Sequence, residues 1–415
     1  MEQNDNDFGP PNNTVKQLPS GEIKLNEEIR SDSTTPNLAN LPKRGRPKKN
    51  PLAEDLSIIE QSKELEEKLL EKHEEPPIAP NDFLSSGSTL LNLAGSDNVN
   101  GYFVKGKYSI VVGDSASGKT FLSLTCLAEA SKNENFKDYR FIYDNAEDGA
   151  LMPIAQFFGQ AVADRIEAPA EDENGIPLYS TTIEEFYYNV DNAKKKGKPF
   201  IYILDSMDSL TSESEGNKFQ EQKKAHEKGK EAAGSYTDGK AKANSQNLRQ
   251  LIAFLRRERQ SIIIIISQTR DSMGYGKSRS GGNALRFYAL NEVWGSIADK
   301  ILKTIEGKKR QIGIICQLKI KKNRITGKER TITIPIFHSY GIDDIGSCIQ
   351  YLIDENHWQL EGQKVIAPEF NLEVKPETLI KYIEKEGFEN ELKAIVQKVW
   401  TDIENKCKAD RKPRY

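Results

Sequence analysis

Cysteine is scarce. The 415-residue chain has four, Cys126, Cys316, Cys348 and Cys407, far apart and with no C-x-x-C pairing. That spacing excludes a zinc ribbon or a disulfide framework and fits the reduced thiols of an intracellular protein. Long apolar runs are missing too. Nothing approaches the ~20 residues that cross a bilayer. The polar N-terminus does not read as a signal peptide, so no membrane role is expected. A dominant charge sign is also absent, since 59 Lys and Arg against 62 Asp and Glu leave a formal net charge of −3. Any nucleic-acid signal must therefore be local. Hydrophobic residues make up 37% and charged residues 29%, which points to a folded core diluted by solvated segments.

What is present begins with Gly113, Asp114, Ser115, Ala116, Ser117, Gly118, Lys119 and Thr120, the string GDSASGKT. It fits G-x-x-x-x-G-K-[ST] without a mismatch. Backbone N–H groups must wrap nucleotide phosphates in such a loop, and side chains at its turns would block the approach. Gly113 and Gly118 give that freedom, Lys119 reaches the β- and γ-phosphates, and Thr120 offers its hydroxyl to Mg²⁺. An apolar run at 108–112 enters the loop and a helical pattern over 121–130 leaves it, which places the anion at a helix N-terminus. ATP and Mg²⁺ are the expected cofactors.

Further apolar runs at 139–143, 200–204 and 262–266 read as buried strands, separated by helical stretches such as Leu248, Leu251, Ile252 and Leu255. The alternation predicts an α/β fold with a mostly parallel sheet covered on both faces, whose ligands sit at the carboxyl ends of the strands. Gly113, Glu147, Asp205 and Gln268 all stand at such ends. Asp205 suits holding Mg²⁺ beside Thr120. Glu147 is the candidate for polarising the attacking water, with Asp144 and Asp148 as rivals. Gln268 can donate to a γ-phosphate and report nucleotide state to the loop after it.

Residues 270–289, RDSMGYGKSRSGGNALRFYA, carry a resemblance. Together with the phosphate loop and the acidic strand ends they resemble RecA-family recombinases over roughly residues 81–360, and the GGNALRFYA string is the specific part. The resemblance implies ATP bound between adjacent subunits of a helical filament on single-stranded DNA. It implies that Glu147 activates water, that Gln268 couples the γ-phosphate to the DNA loop, and that Lys322 and Arg324 reach a neighbour's nucleotide. Arg324 stands where bacterial members usually have lysine, which keeps the charge and changes the donor geometry. The second DNA loop falls on 271–283, Gly- and Ser-rich and basic, making Arg270, Lys277, Arg279, Gly281, Gly282 and Asn283 the expected DNA-binding residues. Residues 211–243, long and poor in apolar side chains, match the first DNA loop, with Tyr236, Lys240 and Lys242 as contacts; the alternative is solvated surface.

The flanks divide the chain into a tail over 1–80, an ATPase core over 81–345 and a small C-terminal helical module over 346–415. In the tail, Arg44-Gly-Arg-Pro47 resembles an AT-hook, whose Arg44 and Arg46 would lie in an A/T minor groove of double-stranded DNA. A generic basic patch or a localisation signal is the alternative. Residues 54–72 read as an amphipathic helix for a neighbouring subunit or for its own core. The basic C-terminal tail, the AT-hook-like motif and the divergent first loop are more phage-type than bacterial, with a bacterial or phage-infected cytoplasm as the setting. A ring-forming helicase of the same core fold and an ATP-gated DNA-binding regulator remain the competing functions.

Overall fold

The computed structural model describes residues 78–148, 152–228, 239–272, 276–279 and 282–412. Arg44, Arg46, the helix expected over 54–72, Tyr236, Gly281 and the side chain of Lys277 lie outside the described parts.

Nine strands build the main sheet: β1 (Lys107–Gly113), β2 (Arg140–Asp144), β3 (Phe200–Leu204), β4 (Ile262–Ser272), β5 (Gly276–Arg279), β6 (Asn291–Ile305), β7 (Lys308–Asn323), β8 (Thr331–Phe337) and β9 (Gly341–Ile342). Their order is β9-β8-β7-β6-β1-β4-β3-β2, with β5 paired to the far end of β4. The strands from β6 to β2 run parallel, whereas β7, β8 and β9 add antiparallel at one edge. The sheet is thus mixed and largely parallel. Five consecutive isoleucines, Ile262 to Ile266, explain the central place of β4, because all are buried. A fully buried isoleucine is worth about 2 kcal/mol, a gain that an edge position would halve.

Successive strand residues feed two cores. Ile201, Ile203, Ile262 and Ile264 face α1 (Thr89–Ser96) and α2 (Lys119–Lys132), in one cluster with Leu91, Leu122 and Leu127. Phe200, Tyr202, Ile263 and Ile265 face α3 (Ile183–Lys195), and a second cluster there holds Phe186, Leu248 and Leu251. The described parts of the 211–243 segment are largely helical where a coreless loop is expected. A capping box, Ser212 with Glu215, starts α4 (Glu213–Glu227), which has no buried residue, and α5 (Gly239–Glu258) follows. Its exposed polar face hides the apolar period that would have marked α4 as a helix. The second loop also differs in its described parts: β4 runs on to Ser272 and pairs antiparallel with β5, a β-hairpin within the segment expected as a loop. Helix α6 (Gly282–Tyr288) comes next.

Beyond the sheet lie α7 (Asp344–Asp354), a three-stranded antiparallel sheet of β10 (Gln359–Glu361), β11 (Lys364–Ala367) and β12 (Leu372–Val374), then α8 (Pro376–Glu386) and α9 (Glu389–Lys406). The helical run over 376–406 is split in two. Gly387 breaks it at φ +72°, a left-handed C-cap that glycine adopts without strain.

Candidate functional site

Register assembles the site. Gly113 pairs with Gln268 of β4 on one side and Gly295 of β6 on the other. The loop after β1 therefore opens beside the end of β4, and Gly118, at φ +84°, is the N-cap from which α2 starts. A Cβ on Gly113 would come within 2.5 Å of Ser117 Oγ and 2.6 Å of the Gly295 carbonyl, so the loop closes this tightly only around glycine. Ser115 and Ala116 form its exposed tip, while Ser117 is buried and its hydroxyl donates to the Asp114 carbonyl at 2.8 Å. Lys119 Nζ donates to the same carbonyl at 2.7 Å. Burial lowers the pKa of this lysine, and Glu147 and Asp205 pull it back up.

Thr120 Oγ1 donates to Asp205 Oδ2 at 2.7 Å, and the Tyr143 hydroxyl donates to the same oxygen at 3.1 Å. Burial raises the Asp205 pKa against those two hydrogen bonds, which lower it. The Glu147 amide donates to the Asp205 carbonyl at 2.8 Å, and the exposed Glu147 carboxylate accepts from Gln268 Nε2 at 2.7 Å. Three strand-end residues chosen from sequence, Glu147, Asp205 and Gln268, are thus within one hydrogen-bonded set with Thr120, and Gly113 lies beside Gln268 in the sheet. The rivals of Glu147 separate clearly. Asp144 is buried and occupied by the Ser180 amide (3.0 Å), the Ser180 hydroxyl (2.6 Å) and the Tyr202 hydroxyl (2.6 Å). Asp148 sits exposed in a left-handed turn at φ +50°.

Sequence reasoning missed Tyr143 and Asp208. Asp208 accepts from Ser267 Oγ at 2.7 Å and from the Gln268 amide at 2.6 Å, and pairs with Arg270 at 3.3 Å. It therefore fixes the backbone that carries Gln268. Its position three residues after Asp205 was the available signal. Thr269 Oγ1 also donates to the Asp114 carboxylate, tying β4 to the phosphate loop.

The set fits the implied ligands. The loop is a cradle that a side chain at Gly113 would fill, and Thr120 with Asp205 supplies hard oxygen donors. Among the described residues no group of three or more His, Cys, Asp or Glu could hold a metal by itself. A cation here would share its shell with phosphate oxygens, as Mg²⁺ does.

Other expected residues lie elsewhere. Lys322 pairs across the sheet with Glu292, which is level with Ile110, so Lys322 and Arg324 stand below the phosphate loop toward the opposite end of β1. Both donate to the Phe287 carbonyl at the end of α6, and Lys322 also to that of Arg286. Arg270 is half-exposed, Gly282 opens α6 and Asn283 is exposed beside it. Arg279 differs from the surface contact expected: its side chain is 7% exposed and pairs with Glu292. Lys240 and Lys242 are in the first turn of α5, with Lys240 Nζ on the Asp208 carbonyl at 3.3 Å.

Comparison with known proteins agrees with this arrangement. Residues 201–343 match the RecA N-terminal domain family. Proteins named RecA align over most of the chain. That of a Nitratiruptor species is 27% identical over 306 residues, 72% of this chain and 78% of its own length. That of Borrelia hermsii is 25% identical over 360 residues, 83% and 90% respectively.

The chain is a distant member of the RecA family.

Membership of the RecA family implies an ATPase, with ATP binding and DNA recombination or repair as its general business. Among the described residues no helix is long and apolar enough to cross a membrane.

Proposed function

We propose that this RecA-family protein is a DNA-dependent ATPase that assembles on single-stranded DNA and promotes homologous pairing and strand exchange. The observation that carries the reading is the bond from Gln268 to Glu147, because Gln268 belongs to the same strand as the hairpin that would meet DNA. A side chain so placed can exchange a carboxylate for a γ-phosphate, and its strand can pass the change to the hairpin.

In this reading the phosphate-loop amides and Lys119 bind and orient the triphosphate. Thr120 and Asp205 hold Mg²⁺, which supplies charge neutralisation on the phosphates. Glu147 takes up the proton of the attacking water, a role its exposure allows, whereas Asp144 is buried and occupied. Lys322 and Arg324 act on a neighbouring subunit's nucleotide, since their own loop is out of reach. Arg270 and Lys277 of the hairpin and Asn283 at the start of α6 meet the single-stranded DNA, with Arg44 and Arg46 as a separate duplex contact.

Two experiments test this. Lys119→Ala should abolish ATP hydrolysis in a coupled phosphate assay; normal turnover would remove the site assignment. Electron microscopy on long single-stranded DNA with a slowly hydrolysed ATP analogue should give extended helical filaments. Closed rings would transfer the same ATP site to a helicase.

A further inference from the structure

The hairpin of β4 and β5 is not held by main-chain pairing alone. Arg279, its last described residue, points inward, where its guanidinium pairs with Glu292 at 3.3 Å and donates to the Gly282 carbonyl at 3.3 Å. Glu292 is 1% exposed, and its other oxygen accepts from Trp294 Nε1 at 2.7 Å. The indole is in turn covered by Lys321, whose ammonium sits 3.3 Å from the ring centroid. Both oxygens of this carboxylate are therefore committed, one to the strand that bears it and one to the hairpin. That strand, β6, pairs with β1 at Ile110, three residues before the phosphate loop. Tyr108 of β1 donates to the Leu285 carbonyl of α6 at 2.5 Å, so the helix opened by Gly282 is fastened to the same strand.

A buried ion pair is a poor device for stability, since desolvating two charges offsets most of their attraction. It is a good device for fixing one arrangement. A single Arg279 joins the end of the hairpin, the start of α6 and the neighbour of the phosphate-loop strand. We propose that Glu292 is a positioning residue for DNA-coupled hydrolysis: through Arg279 it sets the hairpin against β6 so that DNA on the hairpin is felt at Gln268. The proposal rests on the DNA-dependent ATPase reading above. It assigns Arg279 to the scaffold of the hairpin rather than to phosphate contact.

The test compares the unaltered protein with Glu292→Gln, Arg279→Gln and the double variant. Measured are DNA-free hydrolysis, the single-stranded DNA concentration giving half-maximal stimulation, and the salt dependence of DNA binding. Glutamine at 292 keeps an acceptor for Trp294 and removes the charge. Glu292→Gln should leave DNA-free hydrolysis unchanged and raise the half-saturating DNA concentration about tenfold, a loss of coupling worth about 1.4 kcal/mol. Arg279→Gln should raise it equally, and the double variant no further, because both act through one contact. The salt slope should stay constant, whereas loss of a direct phosphate contact lowers it by about 0.7. An unchanged half-saturation in Glu292→Gln, additive effects, or a reduced slope in Arg279→Gln would each overturn the proposal. Should Glu292→Gln not fold, the pair Arg279→Met with Glu292→Met removes both charges while keeping volume, and a wild-type DNA response there overturns it equally. Failure of the unaltered protein to bind DNA would instead sink the reading of the whole site, and this proposal with it.

Discussion

Two carboxylates at the end of β2 show how burial and partners divide roles between similar residues. Asp144 accepts three hydrogen bonds inside the protein, and Glu147 meets solvent with one neutral donor beside it. Removing the first should leave three donors unsatisfied, so Asp144→Ala is expected to cost about 2 kcal/mol or more in a urea melt. Glu147→Gln should leave that melt unchanged and nucleotide binding intact while lowering turnover at least 100-fold. The opposite pattern would hand the catalytic role to Asp144. Lys322 gives a pH signature. Burial, then the neighbouring Arg324, lowers its pKa to about 8, against a smaller upward pull from Glu292. A lysine lowered in this way is disfavoured as a cation by the fold, so its contribution to stability improves as pH rises from about 8 toward its ordinary value. Its charge is lost over the same range. If that charge serves a neighbour's nucleotide, nucleotide-dependent assembly followed by light scattering should weaken above about pH 8, and Lys322→Arg should carry assembly to higher pH. A wild-type profile flat to pH 10 would refute the in-trans role.

At the scale of elements, what could be read from sequence follows how each segment is buried. Strands β1 to β4 are covered on both faces and appear as apolar runs, and the residues at their ends were found with them. Strands β6 and β7 were not read at all. Their outer halves, joined by the turn at Glu306 and Gly307, are exposed on both faces, so Lys300, Leu302 and Lys303 follow no buried period. Helix α4 escaped for the same reason, having no buried side to reveal. The pairing of Arg279 with Glu292 joins residues 13 apart around a helix, a contact that no local pattern announces. The α8–α9 break was written in one residue, Gly387. No atom lies within 4 Å of a Cβ there, so Gly387→Ala meets strain from its φ of +72° alone. Thermal unfolding should register about 1 kcal/mol of destabilisation. No loss of stability would mean that the turn relaxes into another conformation.

Across the whole of residues 78–412, the hydrophobic interior passes without a gap from the sheet into the C-terminal part. Leu91 of α1, Ile334 and Ile336 of β8, Leu352 of α7, Leu379 of α8 and Trp400 of α9 share one cluster. Polar contacts reinforce the junction. Trp400 Nε1 donates to Asp97 at 3.0 Å, and Arg330 bridges Asp97 at 2.8 Å and Glu404 at 2.6 Å while its guanidinium lies over the Trp400 ring. We therefore propose that the segment from 346 onward is an extension of the ATPase core and not a separate folding module. Two domains with their own cores would unfold in two steps, and damage to one would spare the other. A shared core predicts one calorimetric transition for the described region. Trp400→Ala, which empties a nearly buried indole site and breaks the bond to Asp97, should lower that whole transition by about 3 kcal/mol or more. It should also reduce nucleotide binding at temperatures near the new midpoint, although Trp400 touches no residue of the phosphate loop. A variant that loses an early, separate transition while the main one stays in place would establish the C-terminal part as an independent unit.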